Sequence, residues 1–407
     1  RRGQVLMNWR ENIKNVFRHP VFNRYTTVGV VWGMATLAAW LLKHPNNNFI
    51  IFRNVFWHVL HQMPLYAEYP EIYHDINHYG PSFSFIVAPF ALFPVKFGYL
   101  LWLAAMSALL FIAIRTLPFE RKKLLFIMWF CANELYTALC LAQFNIVIGA
   151  MLILIFVCIE KEKEVWAALL IVIGLFVKIY GIVGLAFFFF SHRKTKLILS
   201  LIGWSLVFFA LPMLYSSPEY ILRQYGEWLP DLIAKNAANH FSLFQNISLL
   251  GIVRKISGNP DYSDMWLIIP GLILFALPYL RTGQYASPTF RRMFLVSVML
   301  FVVLFSTGSE SSSYIIALTG VAVWFRGVPW KRPKGDIALL IFAFVLTSMS
   351  PSDLFPAFLY RPYVQPYALK ALPCVLIWFK LIYEMMTRNY AAADNRTPEL
   401  IPSSHKE

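Results

Sequence analysis

The stretch YTTVGVVWGMATLAAWLLKHPNNNFIIFRNVFWHVLHQMPLYAEYPEIYHDINHYGP, residues 25–81, decides how the rest of the chain is read. Its first part, 25–43, is an apolar run of the size that crosses about 30 Å of hydrocarbon. Its second part, 44–80, is too polar to cross. Within it Phe49, Phe52, Phe56, Val59, Leu60 and Met63 recur at helical spacing, with Arg53, Asn54, His58, His61 and Gln62 on other faces. That is the pattern of an amphipathic helix on the outer membrane surface. The closing part, Tyr66 to Pro81, gathers Glu68, Glu71, His74, Asp75, His78 and Tyr79. Crossing a membrane does not require such a segment.

Outward from this stretch, apolar segments recur at about 82–95, 97–115, 124–140, 142–159, 165–190, 197–215, 264–280, 293–306, 314–326, 336–349 and 369–387. The fold class expected is all-α, a polytopic membrane protein of about twelve transmembrane helices, with juxtamembrane helices in the first outer loop. Segment 82–95 is short, and whether it crosses or is re-entrant decides on which side Arg121-Lys122-Lys123 falls. Segment 165–190 is broken at Lys178 and Gly181, as two short helices meeting at a polar point would be. Composition agrees: 58% of residues are hydrophobic and 14% charged, against about 25% charged in soluble chains. Mean hydropathy is +0.56.

The net charge of +15 has a similar explanation. Basic residues gather in short loops, at His192-Arg193-Lys194-Thr195-Lys196, at Arg281, Arg291 and Arg292, and at Arg326, Lys331, Arg332 and Lys334. This is the positive-inside pattern, which places those loops in the cytoplasm. No basic face interleaved with stacking aromatics speaks for nucleic acid. Arg10, Lys14 and Arg18 precede the first span, so residues 8–22 are expected along the inner surface and both termini in the cytoplasm. Residues 1–390 then form one transmembrane domain, with outer loops at 44–81, 216–263 and 350–368, and 391–407 a disordered tail. Cys131, Cys140, Cys158 and Cys374 lie in apolar runs without metal-ligand spacing and read as packing residues.

The cluster 68–79 is dense in groups that bind and move protons. It reads either as a catalytic loop or as a solvated one. Asp75, flanked by His74 and His78 and followed by Tyr79-Gly80-Pro81, is the best single candidate for a general base. Lys178 stands in an apolar run, where insertion costs on the order of 2.5–3.5 kcal/mol, so it faces a polar cavity or partner, or snorkels to headgroups. Gln143 and Asn145 open a span, where they bond substrate or join helices. Glu310, in Ser306-Thr307-Gly308-Ser309-Glu310, enters a helix and is alternatively a cap. Glu134 has no assigned role.

This order of parts resembles the GT-C glycosyltransferases, and more closely glycosyltransferase family 87, a group using polyprenyl-phosphate mannose. Asn48-Phe49-Ile50-Ile51-Phe52 stands where the family has Asp-Phe-x-x-Tyr, and Leu65-Tyr66 closes the amphipathic helix. His78-Tyr79-Gly80-Pro81 and Ala88-Pro89-Phe90-Ala91-Leu92-Phe93-Pro94 resemble its Tyr-x-Pro-Pro…Pro-Leu-x-x-Leu-Pro stretch. Ala142-Gln143-Phe144-Asn145 resembles Gly-Gln-x-Asn, Lys178 falls on the Lys-Pro-x-Pro lysine, and Phe244-Gln245-Asn246-Ile247-Ser248-Leu249 resembles Asn-Gln-Ser-Leu. The likeness spans about 25–330. It departs at Asn48, which cannot act as a base, and at Ile179-Tyr180, which lack the family's proline.

The resemblance implies transfer of a hexose, mannose by default, from a polyprenyl-phosphate donor to a glycolipid or glycan acceptor. Asp75, or else Glu71 or Glu68, would be the base of an inverting displacement, and Lys178 with Arg223 or Arg361 would hold the phosphate. His74, His78, Tyr79, Gln143, Asn145, Asn246 and Glu310 would contact substrate. No metal or other cofactor is expected, and the enzyme would act as a monomer among membrane lipids, at the periplasmic or extracellular face of an inner (plasma) membrane. The rivals are a polysaccharide polymerase or ligase, which would favour an arginine-rich second outer loop, and a secondary transporter or lipid flippase, which would show repeat symmetry.

Overall fold

The computed structural model describes residues 19–396. Most of the segment expected along the inner surface, 8–22, lies outside them; Pro20–Asn23 form a 3₁₀ turn. Among the described residues the secondary structure is helical, without strands.

Helix α1 (Tyr25–Leu42) is apolar throughout but buries only Val28, Trp32, Thr36 and Ala39. That single stripe packs on the bundle and leaves the other faces for lipid. Helix α2 (Asn47–Leu60) is the expected amphipathic helix, capped by Asn46, whose side chain accepts from the Phe49 amide at 3.2 Å. It is buried more widely than its pattern suggests. Ile51, Val55 and His58 are enclosed together with Phe49, Phe52, Phe56 and Val59, whereas Leu60 and Met63 are exposed. The cause is α3 (Phe83–Ala91), which packs along it. At nine residues α3 is about 14 Å long, too short to cross alone, which answers the question of segment 82–95.

Helices α4 (Val95–Arg115), α5 (Arg121–Leu141) and α6 (Asn145–Glu160) come next. The expected break in 165–190 is present, between two short helices that form a hairpin. Helix α7 (Glu164–Lys178) ends where Ile179 turns left-handed (φ +59°), and an eleven-residue 3₁₀ helix, Tyr180–Phe190, folds back along it. The arms approach so closely that a Cβ on Gly181 would lie 2.4 Å from the Gly174 backbone. Ser191 Oγ closes the base by donating to Glu164 at 3.1 Å. Each arm is about 22 Å long, so Lys178 stands at the tip of the hairpin, at depth in the bundle.

Helix α8 (Lys194–Ala210) flanks α7. The expected loop 216–263 is largely helical, with α9 (Pro218–Asn239) and α10 (Leu249–Ser257). Then come α11 (Met265–Ala276), α12 (Pro288–Leu304), α13 (Tyr314–Arg326), α14 (Lys334–Phe342) and α15 (Leu372–Thr387). Helices α12 and α13 are buried on nearly every face and form the centre. The tail expected from 391 begins later: α16 (Tyr390–Asn395) docks on α12, with Tyr390 buried and Thr289 Oγ1 donating to Asp394 at 2.6 Å.

The protein is a multi-helix membrane protein. By length and composition, four helices are able to cross a bilayer: Tyr25–Leu42, Val95–Arg115, Arg121–Leu141 and Lys194–Leu214. Three shorter apolar helices accompany them, Asn145–Glu160, Tyr180–Phe190 and Met265–Leu280. Length and composition thus show four of the roughly twelve crossings expected, with three shorter apolar helices beside them. The helices have a common polarity. The start of α5, the end of α6 and the starts of α7 and α12 share one end, rich in Lys and Arg and tied by pairs such as Arg291–Glu160 at 2.7 Å. Their other ends converge on a single cavity.

Candidate functional site

At the end opposite the basic loops lies a cavity of about 310 Å³. The end of α5, the tip of the α7 hairpin, one face of α9, the segment after α12, helix α2 and the loop 75–79 enclose it. Asp75, His78, Tyr79, Gln143, Lys178 and Glu310, scattered over more than half of the sequence, all line its wall.

The loop is seated by a close backbone approach at Gly80. Its amide donates to the Val177 carbonyl at 3.2 Å, and a Cβ there would lie 2.2 Å from the Phe176 carbonyl oxygen and 2.7 Å from the Trp228 ring. Only glycine lets the loop press so tightly on the end of α7. Tyr79 is thereby buried beside Lys178, with its hydroxyl donating to Gln143 Oε1 at 2.9 Å. Gln143 reaches the cavity because Ala142 ends α5 in the left-handed region (φ +52°). The Lys178 ammonium donates to Asn145 Oδ1 at 2.9 Å and lies 5.8 and 5.2 Å from the ring centres of Tyr79 and Tyr180. Asn145, fully buried, in turn donates to Ser312 Oγ at 2.9 Å, tying the lysine to the segment that carries Glu310.

Nearer solvent, the charges alternate. His78 Nδ1 bonds Asp231 Oδ2 at 2.7 Å, His78 Nε2 lies 3.8 Å from Asp75, and Asp75 meets Lys235 at 3.4 Å. Asp75 itself is left-handed (φ +75°), which Asp tolerates because its carboxylate accepts from the next amide, here Ile76 at 2.9 Å. The His78 contact, the Ile76 amide and Lys235 hold the Asp75 carboxyl well below its ordinary range, outweighing burial. For His78 burial opposes the charge, but hydrogen bonds to Asp231 and Asp75 prevail and raise its pKa. At Glu310 burial raises the carboxyl pKa, with Lys178 and Gln245 opposing.

The other expected residues lie elsewhere. Glu68 and Glu71 are exposed and do not line the cavity, because the loop turns them to solvent before it descends at Tyr73. His74 is exposed too; its backbone is clamped by the Asn47 side chain at 2.9 and 2.7 Å. Arg223 is exposed over the Tyr220 ring, and Arg361 is exposed in the turn Tyr360–Val364. Neither lines the cavity. Asn246 is buried in a left-handed turn (φ +52°) with its amide on the Thr307 carbonyl at 2.9 Å, a structural clamp. Asn48 does line the cavity, with its side chain donating to the Leu141 carbonyl at 2.7 Å.

Sequence reasoning missed Tyr180, Asp231, Lys235, Asn236 and Gln245. A signal existed. Trp228, Asp231, Leu232, Lys235, Asn236 and Asn239 repeat at helical spacing, one face of α9, inside a segment whose polarity suggests a loop. Among the described residues no group of His, Cys, Asp and Glu is arranged to hold a metal ion.

Comparison with known proteins gives one finding. The model of glycosyltransferase family 87 matches residues 77–307, more than half of the chain. The match takes in His78, Tyr79, Gln143, Lys178 and the α9 face, but begins after Asp75 and ends before Glu310. No curated protein matches.

Proposed function

The chain belongs to glycosyltransferase family 87 and is a membrane glycosyltransferase, and from that premise we propose that it moves a hexose from a polyprenyl-phosphate donor to a glycolipid or glycan acceptor in the cavity at the end of its bundle. One observation carries the reading: an enclosed lysine held between two tyrosine rings faces a cavity that also holds carboxylates. The departing group of such a donor is a phosphate. It leaves without a strong acid if cations meet its growing charge, and Lys178 and Lys235 are the lysines on the wall. The acceptor hydroxyl needs a base, which a wall carboxylate supplies. Attack opposite the phosphate inverts the anomeric carbon. Tyr79, Gln143 and Asn236 offer the donors and acceptors that a sugar ring requires.

The bundle's polarity supports the orientation. The basic end is the cytoplasmic one by the positive-inside rule, so the cavity opens toward the periplasmic or extracellular face of an inner or plasma membrane. Mannose is the hexose we favour, the enzyme works as a monomer, and no cofactor besides the lipid donor takes part. Donor binding tests the reading directly. Geranylgeranyl-phosphate mannose added to the detergent-purified protein is expected to raise its melting temperature, and Lys178→Met to abolish the shift. An equal shift in wild type and variant would contradict a phosphate site at Lys178.

A further inference from the structure

Among the described residues, Asp75 and Glu310 are the acidic residues on the cavity wall; Asp231 reaches it only through His78. They are not equivalent. Asp75 sits at the mouth with its side chain 58% exposed, and both its oxygens are engaged, Oδ1 by the Ile76 amide and Oδ2 by Lys235. Glu310 is enclosed by protein; Oε2 accepts from Gln245 at 3.3 Å, and the carboxylate also accepts from Ser312 and, in a capping box, from the Ser313 backbone. Its segment is fixed from several sides. The Asn246 and Ile247 amides donate to the Thr307 and Ser309 carbonyls at 2.9 Å each, and the Glu310 amide donates to Ser313 Oγ at 3.1 Å. The next residue, Ser311, receives Lys370 Nζ on its hydroxyl at 2.8 Å and its carbonyl at 3.2 Å. That lysine is itself paired with buried Glu134 at 2.8 Å. A carboxylate fixed this firmly on a cavity wall, by neutral donors that leave it facing the space, is placed to receive a proton.

We infer that Glu310 is the general base of the transfer, an assignment that rests on the glycosyl-transfer reading. As the acceptor oxygen bonds to the sugar's anomeric carbon, its proton passes to the Glu310 carboxylate. The bond from that carbon to the phosphate oxygen breaks, and its electron pair leaves with the polyprenyl phosphate. The proton then passes to solvent. Glu310 faces Lys178 at the hairpin tip, Lys235 on α9, Gln245, Ser312 and the hydroxyls of Tyr79 and Tyr180. Burial makes the carboxyl more basic than an exposed glutamate, and the two lysines oppose that rise without cancelling it. Asp75 is then a positioning residue, which anchors Lys235 and His78 at the mouth.

The test is steady-state transfer by the full-length protein in detergent, from geranylgeranyl-phosphate mannose, glucose and galactose, with total membrane lipid extract as acceptor. Glu310→Gln is expected to lower kcat by about 10²–10⁴-fold while the donor-induced melting shift survives. Glu310→Asp should recover part of the loss, and Asp75→Asn should act mainly on KM. In wild type, kcat/KM should rise with pH through a value above the ordinary carboxyl value of 4.5, and this limb should vanish from the residual activity of Glu310→Gln. Turnover by Glu310→Gln within about tenfold of wild type, with the acid limb intact, would overturn the assignment. Loss of the melting shift in that variant would instead make Glu310 a structural or donor-binding residue, and would equally overturn it. Failure of wild type to consume any donor would sink the glycosyl-transfer reading itself, and the base with it.

Discussion

Lys178 shows how much a single residue reveals. A cation in an apolar run has to be repaid by a partner, and here Asn145 and two tyrosine rings supply it at a cavity wall. Lys178→Met should therefore cost at least about 10²-fold in kcat/KM, as loss of one electrostatic donor in an enclosed site does. Arg223→Ala and Arg361→Ala, exposed and off the wall, should leave kcat/KM within about threefold of wild type. The reverse pattern would move the phosphate site out of the cavity. Lys178, Gln143, Tyr79, His78, Asp75 and Glu310 are legible because polar groups are conspicuous against apolar sequence. Glu68 and Glu71 mislead for the opposite reason: in an already polar loop, residue type does not tell which side chain turns inward.

At the scale of elements, the hairpin and the loop seated on it make the site. The break at Lys178 and Gly181 is visible in sequence. The fold-back is not, since it depends on Gly174 and Gly181 meeting face to face. Gly80→Ala should lower stability by about 1–3 kcal/mol, read as a fall in melting temperature, because the added methyl meets backbone rather than a flexible side chain. The same variant should lose activity through displacement of Tyr79; a stable, active Gly80→Ala would contradict the seating of the loop. The pair Glu134–Lys370 behind the Glu310 segment gives a second test. Lys370→Met alone strands a buried carboxylate at about 3–5 kcal/mol, whereas Lys370→Met with Glu134→Gln should recover most of that loss in melting temperature. Helix α9 is where sequence reading fails most. Its charged residues suggest a loop, and only their spacing of three and four shows that they share one face.

At the scale of the whole molecule, charge supports the proposed orientation and hydropathy the class, but hydropathy alone does not count crossings. A run of apolar residues says that a segment is buried in lipid or protein. It does not say whether the chain passes through or turns back, as at Tyr180–Phe190. The orientation predicts that a cysteine placed at exposed Glu68 reacts with a membrane-impermeant maleimide in intact cells, and one at exposed Arg193 only after permeabilisation. Labelling in the opposite order would put the cavity on the cytoplasmic side. The most direct measurement of the central claim is turnover: labelled hexose transferred from polyprenyl phosphate to membrane lipid by the purified protein, with Lys178→Met in parallel. The account predicts release of polyprenyl phosphate, a labelled product of inverted anomeric configuration, and loss of both in the variant. Transfer that retains configuration, or that survives without Lys178, would contradict it.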